Sequence, residues 1–109
     1  MRAPIGVFDS GLGGLTVVRQ LRRLLPQEEI IYFGDTARVP YGSKSRESVT
    51  RFSRENCRFL AGHGVGMIIV ACNTSSALAL DALRLEFTLP LRDVVAPGDR
   101  HRHPLRPVP

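Results

Sequence analysis

Three short runs of this sequence combine a residue able to hold or move a proton with small polar neighbours. Cys72-Asn73-Thr74 follows the apolar run from Met67 to Val70 and precedes Ser75-Ser76. Asp9-Ser10 follows apolar residues 5–8 and precedes the glycine-rich residues 11–14. Tyr41-Gly42 lies in an irregular stretch, residues 36–43, punctuated by Pro40 and Gly42. A thiolate is a nucleophile and a usable base. A strand-to-helix turn would put the Cys72 sulfur near the positive end of a helix dipole, which favours thiolate over thiol. The competing reading of Cys72 is a small buried core residue, as most free cysteines are. Asp9 likewise suits either substrate contact or a turn.

These runs acquire meaning from the elements that must carry them. Residues 67–70 form a continuous apolar run, the pattern of a parallel strand covered on both faces. Residues 5–8 read as a short buried strand, and residues 29–33 as a further strand closed by Gly34-Asp35. Residues 15–25 place Leu15, Val18, Leu21 and Leu25 on one helical stripe with arginines between, and the helix stops before Pro26. Ser45 is placed to cap a second helix, with Glu47 in its first turn. That helix carries Val49, Phe52, Asn56, Phe59, Leu60 and His63 on one stripe, near a Gly64 end signal. Cys57 falls about 100° off this stripe by the 3.6-residue period, so it is expected at the helix flank without a role. His63 is expected at the rim and not as a base. A third helix is expected over residues 76–86, capped by Ser75 and Ser76, with Leu78, Leu80, Leu83 and Leu85 as its apolar surface. Three strand-loop-helix units in series predict an α/β fold: an open parallel sheet in three layers, with helices on both faces. Its carboxyl edge would gather Asp9-Ser10, Tyr41-Gly42 and Cys72-Asn73-Thr74.

The turn at residues 11–14 offers backbone N–H groups at a helix start, which suits an anion such as a carboxylate. It is not a dinucleotide fingerprint, which needs glycine where Thr16 stands, nor a P-loop, which needs Gly-Lys-Ser/Thr. Two cysteines supply neither a disulfide framework nor metal spacing. His101 and His103 alternate without partners and are not expected to bind metal.

The chain of 109 residues suits one small domain. We expect it over residues 1–95, with residues 89–95 a weak fourth strand. Residues 96–109 hold four of the eight prolines and little to bury, and are expected to be a disordered tail rich in Pro, Arg and His. The net charge of +5 comes from 14 arginines and Lys44 against ten acids. The arginines are scattered and lack interleaved aromatic stacking platforms, so nucleic-acid binding is not expected as the main function. No apolar run approaches the roughly 20 residues that span a bilayer. Without an apolar leader at the start, the expected location is the cytoplasm with both thiols reduced.

Residues 5–17, Ile-Gly-Val-Phe-Asp-Ser-Gly-Leu-Gly-Gly-Leu-Thr-Val, resemble the N-terminal signature of the glutamate racemase family. Gly34-Asp35-Thr36, then residues 39–45 (Val-Pro-Tyr-Gly-Ser-Lys-Ser), and Ala71-Cys72-Asn73-Thr74 are similar to its next motifs, in order. The resemblance covers about residues 4–90. It implies one of the two similar α/β domains of the aspartate/glutamate racemase superfamily. It also implies interconversion of L- and D-glutamate without a cofactor, supplying D-glutamate for peptidoglycan. By the resemblance, Cys72 is a catalytic acid/base and Asp9 assists proton transfer. Asp9, Ser10, Tyr41, Gly42, Asn73 and Thr74 contact the substrate. The family's second catalytic cysteine stands in a Cys-Thr motif of a second domain, and that motif is absent here. The resemblance therefore implies a truncated or frameshifted chain, inactive alone, whose partner is the missing C-terminal domain or a second copy.

Two other readings stand beside it. One is another cofactor-independent racemase of the same superfamily, acting on an amino acid or a hydantoin. The other is a non-catalytic remnant that binds a partner through its arginine-rich helices or tail. A cysteine phosphatase is excluded, because Cys-x₅-Arg would need arginine where Leu78 stands.

Overall fold

The structure is a computed structural model and describes residues 2–93 apart from Leu12. The expected tail, residues 96–109 with His101 and His103, lies outside the described residues. Strands β1 (Ile5–Asp9), β2 (Ile30–Gly34), β3 (Met67–Val70) and β4 (Leu91–Asp93) form one sheet in the order β2-β1-β3-β4. Every pairing is parallel, with Phe8 level with Phe33 on one side and Val70 on the other. The expected α/β architecture is therefore present.

Helix α1 (Gly14–Leu24) links β1 to β2, and α2 (Arg46–Gly62) links β2 to β3. Two short helices, α3 (Asn73–Leu78) and α4 (Leu80–Glu86), link β3 to β4. Strand side chains alternate, and each face finds its own helices. Phe8, Ile68, Val70 and Leu91 pack with Cys57 and Leu60 of α2 and with Leu80 and Leu83 of α4. Ile5, Val7 and Ile69 point the other way, to Val17, Val18 and Leu21 of α1. Burying a side chain of this size contributes roughly 1.5–3 kcal/mol. On the α2/α4 side, Arg54 and Arg58 both pair with Glu86, so these arginines join helices as well as facing solvent.

Several helical expectations need correction. On α1 the covered residues are Val17, Val18 and Leu21, whereas Leu15 is 60% exposed and Leu25 is also exposed. A single helix lies on that face of the sheet, so only the middle of its apolar stripe meets the strands. Leu85 is 90% exposed, because Leu80 and Leu83 fill the inward side of α4. Phe59 is exposed too, stacking on Phe33 and His63 at the surface, and His63 holds the rim position expected of it. Cys57 is not at a flank: it is fully buried, since α2 meets the sheet and α4 at once and its buried arc exceeds one stripe. Burial pushes its thiol pKa up to about 12, which makes it inert. The helix expected over residues 76–86 is two helices that break at Ala79. No helix among the described residues is long and apolar enough to cross a membrane.

Candidate active site

From β1 the chain moves to β2 on one side, and from β3 it moves to β4 on the other. The loops after β1 and β3 therefore part in opposite directions, the arrangement that places a ligand crevice at the carboxyl edge of an open α/β sheet. The strand ends are level there. Ala71 N–H donates to Phe8 O at 2.9 Å, and Asp35 N–H donates to Asp9 O at 3.0 Å. Asp9-Ser10 and Cys72-Asn73-Thr74 leave adjacent strands at this edge.

Cys72 is the N-cap residue of α3 and is 7% exposed. The cap expected at Ser75 and Ser76 is displaced, because both lie inside α3 and are used sideways. Ser75 Oγ accepts a hydrogen bond from Ser53 of α2 at 2.8 Å, and Ser76 Oγ donates to Val70 O at 3.4 Å. These bonds fasten the start of α3 to α2 and to β3. Asn73 is exposed and Thr74 half-buried, both in the first turn beside Cys72.

Asp9 is fully buried and its carboxylate is filled with donors. Oδ1 accepts from Gly11 N–H at 2.9 Å and from the Tyr32 hydroxyl at 2.7 Å, and Oδ2 accepts from Gly14 N–H. The anion that residues 11–14 cradle is thus the chain's own Asp9, which corrects the expectation of an external one for these two N–H groups. Close approach requires glycine here. A Cβ at Gly14 would collide with Asp9 Oδ2 and stand 2.9 Å from the Tyr32 ring, while Gly11 takes φ 98°. Burial first, then the bond to Asp9, pushes the Tyr32 pKa up to about 12. Ser10 is buried beside Asp9.

Tyr41 opens a 3₁₀ turn, Tyr41–Ser43, and is 1% exposed. Its ring packs with Val49, Phe52 and Cys72, so the structure brings Tyr41 and Cys72 into one apolar cluster. Its hydroxyl points away from solvent. It donates to Asp35 Oδ2 and accepts from Asn56 Nδ2 at 2.9 Å. Burial, and then the bond to Asp35, raise its pKa well above the ordinary tyrosine value. What Tyr41-Gly42 can offer a ligand is therefore backbone; Gly42 is exposed and has open space around it.

Sequence reasoning passed over Tyr32, Asp35 and Asn56 as site residues. Asn56 carried a signal, as an amide on an otherwise apolar stripe needs a buried partner. Tyr32 carried none, since an aromatic residue in a strand is ordinary. Among the described residues, no cluster of three His, Cys, Asp or Glu side chains could hold a metal. A cavity of about 160 Å³, lined by Arg46, Ser76, Asp81, Arg84 and Asp93 among others, lies behind α3 and does not include Cys72.

A curated glutamate racemase from Gloeothece citriformis is 57% identical over 99 residues, which are 91% of this chain and 36% of that protein. The chain matches the N-terminal part of glutamate racemases. It spans about a third of the length of the first such relatives. The crystal structure of glutamate racemase from Thermus thermophilus in complex with β-chloro-D-alanine superposes with a TM-score of 0.84 at 56% identity, covering 93% of this chain and 40% of that one. The glutamate racemase from Francisella tularensis in complex with D-glutamate gives 0.79 at 50% identity, over 84% of this chain and 35% of that one. No family model matches the chain. Identity at this level carries the racemase fold to the described residues, and the resemblance stated from the motifs holds.

Proposed function

We propose that this chain forms the first half of a glutamate racemase site, in which Cys72 is the acid/base on one face of the substrate α-carbon. The observation that carries the reading is the juxtaposition of the β1 and β3 carboxyl ends. It sets Cys72 and Asp9 on adjacent strand ends, in a chain that matches racemases over a third of their length. Racemisation breaks the Cα–H bond on one face and makes a new one on the other. The Cys72 thiolate takes the α-proton, leaving the electron pair on carbon, and a donor on the opposite face returns a proton there. We assign that second group to the part of the relatives' length that this chain does not span. It is supplied by a further domain or a second copy.

We assign Ser10, Asn73, Thr74 and the Tyr41-Gly42 backbone to contact with the substrate. Fixed N–H and hydroxyl donors of this kind would hold the substrate carboxylates and stabilise the carbanion. Asp9 assists proton transfer from a position held by its own donors. The complex of the Francisella tularensis glutamate racemase with D-glutamate supports glutamate as the substrate, and peptidoglycan as the use of D-glutamate follows from that family. The reaction in this reading needs no cofactor.

Losing one positioned acid/base group lowers rates by roughly 10²–10⁴-fold. The chain by itself should therefore catalyse one-sided chemistry: slow exchange of the glutamate α-hydrogen with deuterium from D₂O, without inversion, abolished by Cys72→Ala. Chiral chromatography with mass detection reads both outcomes. Exchange that survives Cys72→Ala would overturn the assignment of Cys72.

A further inference from the structure

We propose that Asp35 and Asn56 are positioning residues which grip the Tyr41 hydroxyl from two sides and so hold the wall that encloses Cys72. The proposal rests on the reading of Cys72 as the site's thiol. Three elements that share no backbone hydrogen-bond ladder meet at this point: the end of β2, the 3₁₀ turn and the middle of α2. Tyr41 Oη donates to Asp35 Oδ2 and accepts from Asn56 Nδ2 at 2.9 Å, which uses its donor and one acceptor site. Arg38 closes the ring. Its Nε donates to the same Asp35 Oδ2 at 2.9 Å, and its Nη2 lies 3.5 Å from Asn56 Oδ1. Its guanidinium stands 4.1 Å over the Phe52 ring, so the polar clamp also presses on the apolar cluster.

The clamp is one side chain away from the thiol. Tyr41 and Phe52 pack with Cys72, and their rings lie 5.7 Å apart. The Tyr41 hydroxyl thus works as a peg. It places the aromatic ring against Cys72, with the exposed Gly42 next in the chain. A tyrosine whose hydroxyl bound substrate would present it to the crevice, whereas this one is sealed on the far side of its ring.

Thiol labelling tests this without turnover, because Cys57 is a built-in gauge in the same molecule. Cys57 is fully buried, so it reacts only when the fold opens. Iodoacetamide labelling of both cysteines at neutral pH, read by mass spectrometry, gives the two rates together. Asp35→Ala and Asn56→Ala should raise the Cys72 rate relative to the Cys57 rate by roughly three- to tenfold, the equilibrium weight of one hydrogen bond, since the Cys57 rate carries any loss of global stability. Asp35→Asn keeps an oxygen for Tyr41 and should return the Cys72 rate towards wild type. Rates that rise in parallel at both cysteines, or an unchanged Cys72 rate, would overturn the proposal, since the cluster would then serve only global stability. Should either alanine variant fail to fold, Tyr41→Phe decides by the same two criteria, because it removes the hydroxyl and leaves the ring. A negative result leaves the glutamate reading intact, and loss of Cys72-dependent deuterium exchange leaves the clamp intact.

Discussion

Asp9 and Asp35 sit side by side at the ends of neighbouring strands, and the chain treats them differently. Both are buried, and each accepts a hydrogen bond from a tyrosine hydroxyl. Asp35 has a cation, Arg38, and both of its donors share one oxygen, Oδ2. Asp9 has no ion-pair partner among the described residues. Its charge is met by two backbone N–H groups and a phenol, spread over both oxygens. An aspartate neutralised by arginine is a fixture. One met by dipoles alone has no cation beside it, which suits the proton-transfer role proposed for Asp9. The contrast separates an ion-paired carboxylate from one held by dipoles within a single sheet edge.

The harshest way to break the Asp9 side is through its closest neighbour. Gly14→Ala would drive a methyl into the carboxylate and the Tyr32 ring. It should destabilise the fold by about 3 kcal/mol, the upper range for overpacking a filled site. Urea melts should show a lower midpoint with an unchanged slope. A loss under about 1 kcal/mol would mean that the loop is looser than the hydrogen bonds suggest.

A matched pair of substitutions sharpens the comparison next. Asp9→Asn turns one accepting oxygen into an NH₂ group that must face a donor. It should cost about 2 kcal/mol, the price of an unsatisfied buried polar group. Asp35→Asn keeps the single oxygen that both donors use and loses mainly the attraction to half-exposed Arg38. It should cost about 1 kcal/mol, within the range of partly screened pairs. Equal losses from the two variants would remove the distinction.

Much of this contrast was legible in the sequence, and part was not. Continuous apolar runs fixed β1 and β3, because a strand covered on both faces leaves no other pattern. Ser45 capped α2 as expected, its Oγ accepting from Ser48 N–H at 3.0 Å. The break at Ala79 was hidden because residues 73–86 are all compatible with one helix. The depth of Cys57 was hidden because helical periodicity counts one covered face, and α2 has two. Motif order placed Asp9, Tyr41 and Cys72 on one edge. That the Tyr41 hydroxyl faces inward depends on Asn56, fifteen residues further on, and no local pattern carries that.

The two tyrosines offer a milder probe that leaves the chain unmutated. They are the only tyrosines in the sequence, so ultraviolet difference titration reads two phenol steps and no others. Tyr32 should ionise near pH 12, and Tyr41, in the deeper clamp, above it. Both pKa values are raised in the folded state, so the unfolded chain releases these protons first. The stability they contribute is complete below about pH 10, the ordinary tyrosine value, and is lost as pH climbs towards 12. A tyrosine titrating at its ordinary value in the folded chain would show that its aspartate does not hold it.

The smallest effect is expected at the other glycine of the site. Gly42 lies in the 3₁₀ turn with no atom within 4 Å of where a Cβ would stand. Its φ is not in the left-handed region, since Gly11, Gly13 and Gly64 are the positive-φ glycines. Neither space nor backbone conformation demands glycine there. Gly42→Ala should leave thermal stability within about 0.5 kcal/mol of wild type, and a slight gain is the natural sign, because alanine narrows the unfolded ensemble. Gly14 is glycine because a side chain of the protein occupies its space. Gly42 is glycine although the protein leaves its space open, which is what a backbone that must meet a ligand would require. A melt unchanged by Gly42→Ala would assign any altered behaviour towards glutamate to the site and not to the fold. A loss as large as that of Gly14→Ala would give both glycines the same structural reason, and Gly42 would then carry no argument about substrate.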